Sequence, residues 1–184
     1  MTKTWNNGNY ILINGYAKEI CVDPKNFKDI TESRISKDHG ALQSIGIHYE
    51  HPIMVMIKQN RDNIIKMVQK KFKLPELDML VNGNKMSSGK GISIHNDWFE
   101  ENERGDPSAV LARGVLSLNP TYVFGTNLYD TWDENSFNSE RGGYPGDLFI
   151  FKCSPDSHHS VGLKSYEHVD RYTLNMMFIE KQML

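Results

Sequence analysis

The chain has 184 residues, 39% of them hydrophobic and 24% charged, with a formal net charge of -2. That length suits one domain with a sizeable core, and an acidic balance without a basic stripe argues against a nucleic-acid partner. No run approaches the roughly 18 apolar residues needed to cross a bilayer, and the polar start MTKTWNNGNY lacks a signal-like apolar segment. The expectation is a cytoplasmic protein without a membrane partner, its cysteines Cys21 and Cys153 idle thiols in a reducing compartment.

In chain order, Tyr10, Ile11, Leu12 and Ile13 suggest an opening strand. Asp23-Pro24 has the form of an N-cap followed by proline at the first helical position, which predicts a helix through Phe27, Ile30 and Ile35. Residues 37–52 carry His39, His48 and His51 among Gly40, Gly46 and Pro52, and read as a loop with one short strand. Residues 61–74 form the clearest helix, with Ile64, Ile65, Val68 and Phe72 on one face to pack against a sheet.

From Met79 onward the pattern changes to short strands separated by turn residues. Strands are expected at 79–81, 91–95, 114–118, 122–124, 148–153 and 172–179, with loops at 102–107 and 131–146. Many short strands without intervening helices predict a mainly β fold with flanking helices, a sandwich or jelly roll. The expected organisation is one domain, an N-terminal helix and strand layer over about 1–78 covering a β core over about 79–184.

The chemistry is concentrated in GKGISIHND, residues 89–97. Side chains at i and i+2 of a strand leave the same face, so His95 and Asp97 converge. An imidazole and a carboxylate there are two thirds of a facial triad for ferrous iron, and a distant histidine would complete it. His158, His159 and His168 are the downstream candidates. Neighbouring histidines on an extended segment diverge, and His159 is the choice, with His158 its competitor. A second His-x-Asp, His168-Val-Asp170, has no histidine after it and is set aside. Arg171 and Thr173, at i and i+2 of the last strand, make a receptor for a carboxylate.

These residues resemble the iron(II)- and 2-oxoglutarate-dependent oxygenases, the double-stranded β-helix superfamily, and look closest to its prolyl-hydroxylase-like branch. The likeness covers about residues 84–178. Asn84, Gly89, Ile92, His95 and Asp97 fit the pattern Asn-x-Tyr-x-x-Gly-x-x-Leu-x-x-His-x-Asp, with Met86 where tyrosine is usual. RGVLSLNP (113–120), the Gly125–Leu128 turn with Thr126 in place of a second glycine, YPGDLFIF, HSV and RYTL follow in the expected order. Asp97 is unlike the halogenases, and Met177 stands where the nucleic-acid demethylases carry a second arginine.

The resemblance implies Fe(II) held by His95, Asp97 and His159, and 2-oxoglutarate bound as co-substrate by Arg171, Thr173 and Asn84. It implies O2 as oxidant and hydroxylation of an unactivated C–H bond of a small molecule, with release of succinate and CO2; desaturation or ring closure uses the same ligands. Trp98 and Arg113 are the candidate substrate contacts, each weighed against a packing or ion-pair role. The alternatives are the same chemistry on a peptide or carrier-bound residue, a cupin-like metalloenzyme that does not use 2-oxoglutarate, and a jelly-roll binding module. Nothing in the sequence sets the oligomeric state, or which residue replaces the tyrosine at Met86.

Overall fold

Successive residues of the last strand, Arg171–Glu180, alternate in character. Tyr172, Leu174, Met176 and Phe178 turn to one side and join a large apolar cluster, while Arg171, Thr173 and Asn175 turn to the other and line a cavity. Period-two alternation on a two-faced sheet gives this result directly.

The computed structural model describes residues 4–38, 40–106, 108–162 and 169–182. Among them the strands are β1 Tyr10–Ile13, β2 Arg34–Asp38, β3 Leu42–Gly46, β4 Leu77–Met86, β5 Ile92–His95, β6 Val110–Ser117, β7 Thr126–Tyr129, β8 Phe137–Arg141, β9 Leu148–Lys152, β10 His159–Val161 and β11 Arg171–Glu180. The helices are α1 Lys18–Cys21, α2 Pro24–Thr31, α3 Pro52–Phe72 and α4 Glu100–Glu103. All strand pairs are antiparallel and form two sheets, β1-β9-β6-β11-β4-β3-β2 and β5-β10-β7-β8. This is a jelly roll, as the strand pattern predicts.

The outer face of the large sheet carries the main core. Ile53, Ile57, Ile64, Val68 and Phe72 of α3 are buried against it, together with Leu116, Ile150, Leu174 and Phe178. Each such side chain contributes about 1.5–3 kcal/mol when fully buried. Between the sheets lie two smaller clusters, Trp5, Leu128, Phe149 and Phe151 in one and Met86, Phe124 and Val161 in the other.

Asp23 caps α2 as expected, accepting from the backbone N–H groups of Lys25 and Asn26. The helix stops at Thr31, however, and Ile35 belongs to β2, where it is exposed. Strands β2 and β3 thus pair as a hairpin, so the expected short strand is present at β3 and a second strand stands where the helix end was expected. Every residue of β2 is exposed because it is the sheet's edge, so it carries no apolar alternation. Helix α3 begins at Pro52, ahead of the expected 61, because the His51 Nδ1 accepts from Ile53 N and acts as its N-cap.

Residues 122–124 form no strand, although Val123 and Phe124 are buried. The strand starts after Gly125, where a Cβ would lie 2.2 Å from the Arg141 carbonyl oxygen, so only glycine fits the turn. Within the expected loop 131–146 lies β8, another edge strand with little burial.

Candidate metal centre and its cavity

His95 ends β5, and Asp97 lies two residues beyond it. Strand β10 pairs with β5 so that His159 is the register partner of His95, with ring centroids 4.2 Å apart. His95 Nε2 is 3.9 Å from Asp97 Oδ1, His159 Nε2 is 3.5 Å from Asp97 Oδ2, and one ligand atom from each residue lies within 4.8 Å of the others. The Asn96 amide donates to the Pro155 carbonyl at 3.2 Å, tying the loop after β5 to the one before β10.

Both imidazoles have a fixed tautomer. His95 Nδ1 is 2.8 Å from the Ser93 carbonyl oxygen and His159 Nδ1 is 2.7 Å from that of Ser157. A carbonyl only accepts, so each Nδ1 carries the hydrogen and each Nε2 presents its lone pair towards Asp97. Burial pushes the His159 imidazole down to about 4, with the Asp97 charge opposing. It is therefore neutral at physiological pH, the form that ligates metals.

Asp97 is buried, and its Oδ2 faces Arg113 Nε at 3.0 Å. Arg113 lines the same cavity, so the structure joins the ligand carboxylate and this candidate substrate contact in one ion pair.

The cavity has a volume of about 220 Å³, and its lining includes His95, Asp97, Arg113, His159, Arg171 and Thr173. Arg171 is 5% exposed, and its Nε and Nη2 have no hydrogen-bond partner. Its guanidinium lies 5.6 Å from the centre of the Phe124 ring. Burial lowers its pKa to about 10, with Glu140 the opposing charge, so it remains a cation at neutral pH. A buried cation with free donors carries a large desolvation cost, which an incoming anion offsets.

Thr173 sits on the same strand face, and Ser117 is its register partner on β6. The Ser117 hydroxyl is fully buried with no partner. Sequence reasoning passed it over, since a lone serine in an apolar strand gives no signal. Asn84 is buried opposite Thr173 on β4, its Oδ1 accepting from the Asn82 amide at 2.8 Å, and it does not line the cavity. Met86, in the place of the usual tyrosine, lines the cavity with an apolar side chain. Trp98 is half-buried outside the lining.

His158 points away from the cluster, its ring packed edge-on against Trp132 at 4.7 Å. Its carbonyl accepts from Trp5 Nε1 at 2.9 Å, and Trp5 packs on Phe151, whose ring meets His159 at 4.8 Å. The N-terminal segment thus backs a candidate metal ligand, which its polar sequence does not disclose. His168, the discarded alternative, and His39 lie outside the described residues.

A double-stranded β-helix with a His-Asp-His cluster between its sheets is the class that fold and site define. No protein-family model matches the chain, and no curated protein matches it. Among solved structures it is similar to a Pseudomonas putida prolyl-4-hydroxylase, at 15% identity and a TM-score of 0.67, covering 95% of this chain and 94% of that one. It is similar to the viral collagen prolyl hydroxylase of Paramecium bursaria Chlorella virus-1 in its 2-oxoglutarate complex, at 11% identity and a TM-score of 0.68, covering 97% and 99%. The α-ketoglutarate-dependent epimerase of nogalamycin biosynthesis also matches, at 11% identity and a TM-score of 0.62, covering 94% and 76%. The fold is that of the 2-oxoglutarate and iron(II) oxygenases, in the form shared by their prolyl hydroxylases.

Proposed function

We propose that the chain is an iron(II)- and 2-oxoglutarate-dependent oxygenase that hydroxylates a C–H bond of a small molecule, such as an amino acid or natural-product intermediate. The observation that carries this reading is the pairing, in one cavity, of a tautomer-fixed His95-Asp97-His159 cluster with the unpartnered Arg171 guanidinium.

The donor set of two imidazoles and one carboxylate suits ferrous iron with open positions. Iron with 2-oxoglutarate and O2 supplies an oxidant able to break an unactivated C–H bond, with succinate and CO2 as co-products. The chain's residues bind and orient. Arg171 pairs with the distal carboxylate of 2-oxoglutarate, and the hydroxyls of Thr173 and Ser117 supply further donors. Leu42, Met86, Ile92, Val115 and Val161 give the cavity apolar walls that exclude water. Free thiols at Cys21 and Cys153 and a ferrous site both fit a reducing compartment, and we place the protein in the cytoplasm.

A cupin-like metalloenzyme would use the triad but has no need of a buried cation beside it. The deciding experiment is anaerobic titration of the purified protein with ferrous iron and 2-oxoglutarate, watching for the weak visible metal-to-ligand band. The expected result is a band that saturates at one equivalent and is lost in His159→Ala. Bound iron with no band and no 2-oxoglutarate binding would overturn the reading and favour the cupin-like enzyme.

A further inference from the structure

Two cations face one cavity, and the oxygenase reading, on which this inference rests, uses only Arg171. Arg171 is buried at the start of β11, whereas Arg113 of β6 is the register partner of Met177, about 20 Å further along that strand at the ordinary rise. The Arg113 side chain keeps 28% exposure, so it stands at the open side of the cavity. Its Nε faces Asp97 Oδ2 at 3.0 Å but makes no hydrogen bond, and its Nη atoms have no partner among the described residues. The same Oδ2 lies 3.5 Å from His159 Nε2, among the candidate metal ligands. A metal bound there takes the Asp97 charge and leaves Arg113 without a counter-ion.

Asn175 stands beside Arg113. It pairs opposite Val115, which makes it a diagonal neighbour of Arg113, at a spacing that long side chains bridge. Its Oδ1 accepts from the Thr173 hydroxyl at 3.2 Å. That leaves its Nδ2 hydrogens, unpartnered among the described residues, for the cavity that Asn175 lines.

We propose that Arg113 and Asn175 form a second anion receptor, and that the prime substrate is a small carboxylic acid held there by its carboxylate. The balance of charge supports this. The lining holds one carboxylate, Asp97, and two guanidiniums, and ligating imidazoles are neutral. With ferrous iron and 2-oxoglutarate in place, a divalent ion and two guanidiniums face three carboxylates, and one positive charge is left over. A monoanion balances it, and a guanidinium fork with a neighbouring amide suits a carboxylate. A neutral residue within a peptide would strip water from Arg113 and supply no charge, at a desolvation cost. Because Arg113 lies against a candidate metal ligand, the held carboxylate sits beside the metal, and the oxidised carbon is within a few bonds of it.

The test uses acetate as the probe and acetamide as its neutral counterpart, with the protein saturated in manganous ion and 2-oxoglutarate so that no turnover occurs. Paramagnetic relaxation of the methyl protons reports which probe is held near the metal. The expected result is saturable relaxation of acetate and none of acetamide, undiminished by further 2-oxoglutarate. Acetate affinity should fall about tenfold in Arg113→Gln, recover in part in Arg113→Lys, and fall about threefold in Asn175→Ala. Equal relaxation of acetamide, no saturable relaxation of acetate, or unchanged acetate affinity in Arg113→Gln would overturn the proposal. Should Arg113→Gln fail to fold or to bind metal, Asn175→Ala decides, and unchanged acetate affinity there overturns it as well. Failure of the wild type to bind 2-oxoglutarate with metal present is a different outcome, and it removes the oxygenase reading instead.

Discussion

His95 and His159 are register partners across the β5–β10 ladder, their rings 4.2 Å apart, so two of the three candidate ligands are brought together by one strand pairing. The site exists only when the small sheet is formed. Metal binding should therefore stabilise the fold, by about 2.7 kcal/mol at a hundredfold excess over the dissociation constant. Thermal melting with and without ferrous or manganous ion should show the shift in wild type and in His158→Ala, and none in His159→Ala. A shift that survives in His159→Ala would mean that the ligand has been misassigned.

Arg171 should oppose stability in the ligand-free protein. Its guanidinium is 5% exposed with two unpartnered nitrogens, and a buried charge of this kind costs several kcal/mol. We expect Arg171→Met to raise the melting temperature of the ligand-free protein while weakening 2-oxoglutarate binding a hundredfold or more, about 3 kcal/mol. Ser117→Ala should weaken it more modestly, by about 1 kcal/mol. Calorimetric titration with 2-oxoglutarate measures both, and unaltered affinity in Arg171→Met would refute the anion assignment.

The metal-free protein should lose stability on acidification through one identifiable group. Burial holds His159 at about 4 in the folded protein against an ordinary value of 6.5. Between these values the unfolded chain binds the proton and the folded chain does not, so stability falls as the pH drops from about 6.5 towards 4 and His159 contributes no slope above that range. The full effect is about 3 kcal/mol. Urea midpoints across pH 4–8 in chelator should show the slope, and His159→Gln should remove its share; an equal slope in that variant would assign the loss to other groups.

Trp5 should matter more than its place near the polar N-terminus suggests. It is 3% exposed, packs on Phe149 and Phe151, and donates to the carbonyl of His158. Trp5→Ala is expected to cost about 3–5 kcal/mol through the cavity it leaves. Trp5→Phe keeps the ring contact and loses one hydrogen bond, at a cost of about 1 kcal/mol. Denaturant unfolding separates the two, and equal costs would place the contribution in the hydrogen bond alone.

Both cysteines should resist alkylation in the native protein. Each is 1% exposed, burial pushes the Cys21 thiol up to about 12, and it raises that of Cys153 as well. Mass spectrometry after maleimide treatment at pH 7.5 should find neither modified until denaturant is added. Rapid labelling of either would show that its segment opens locally.

Much of this was legible from the sequence because it rests on local patterns. Asp23-Pro24 marked the start of α2, and the apolar stripe Ile64, Ile65, Val68 and Phe72 marked α3. The spacing of His95 and Asp97 put two polar groups on one strand end, and strand alternation allowed only one of His158 and His159 to join them. Each follows from a backbone period that residue order alone encodes.

Tertiary structure decided whatever depends on neighbours distant in sequence. The edge strands β2 and β8 have no buried face, so pairing rather than pattern defines them. The end of α3 at Pro52 depends on an imidazole acting as its cap. Trp5 backing His159, the Ser117 hydroxyl left without a partner beside Thr173, and Arg113 turned onto Asp97 all join residues from separate strands or segments. Sequence names such side chains one by one, but only the ladders of the two sheets decide which neighbours their polar atoms meet or are left without, and a buried polar atom's partners decide what it does.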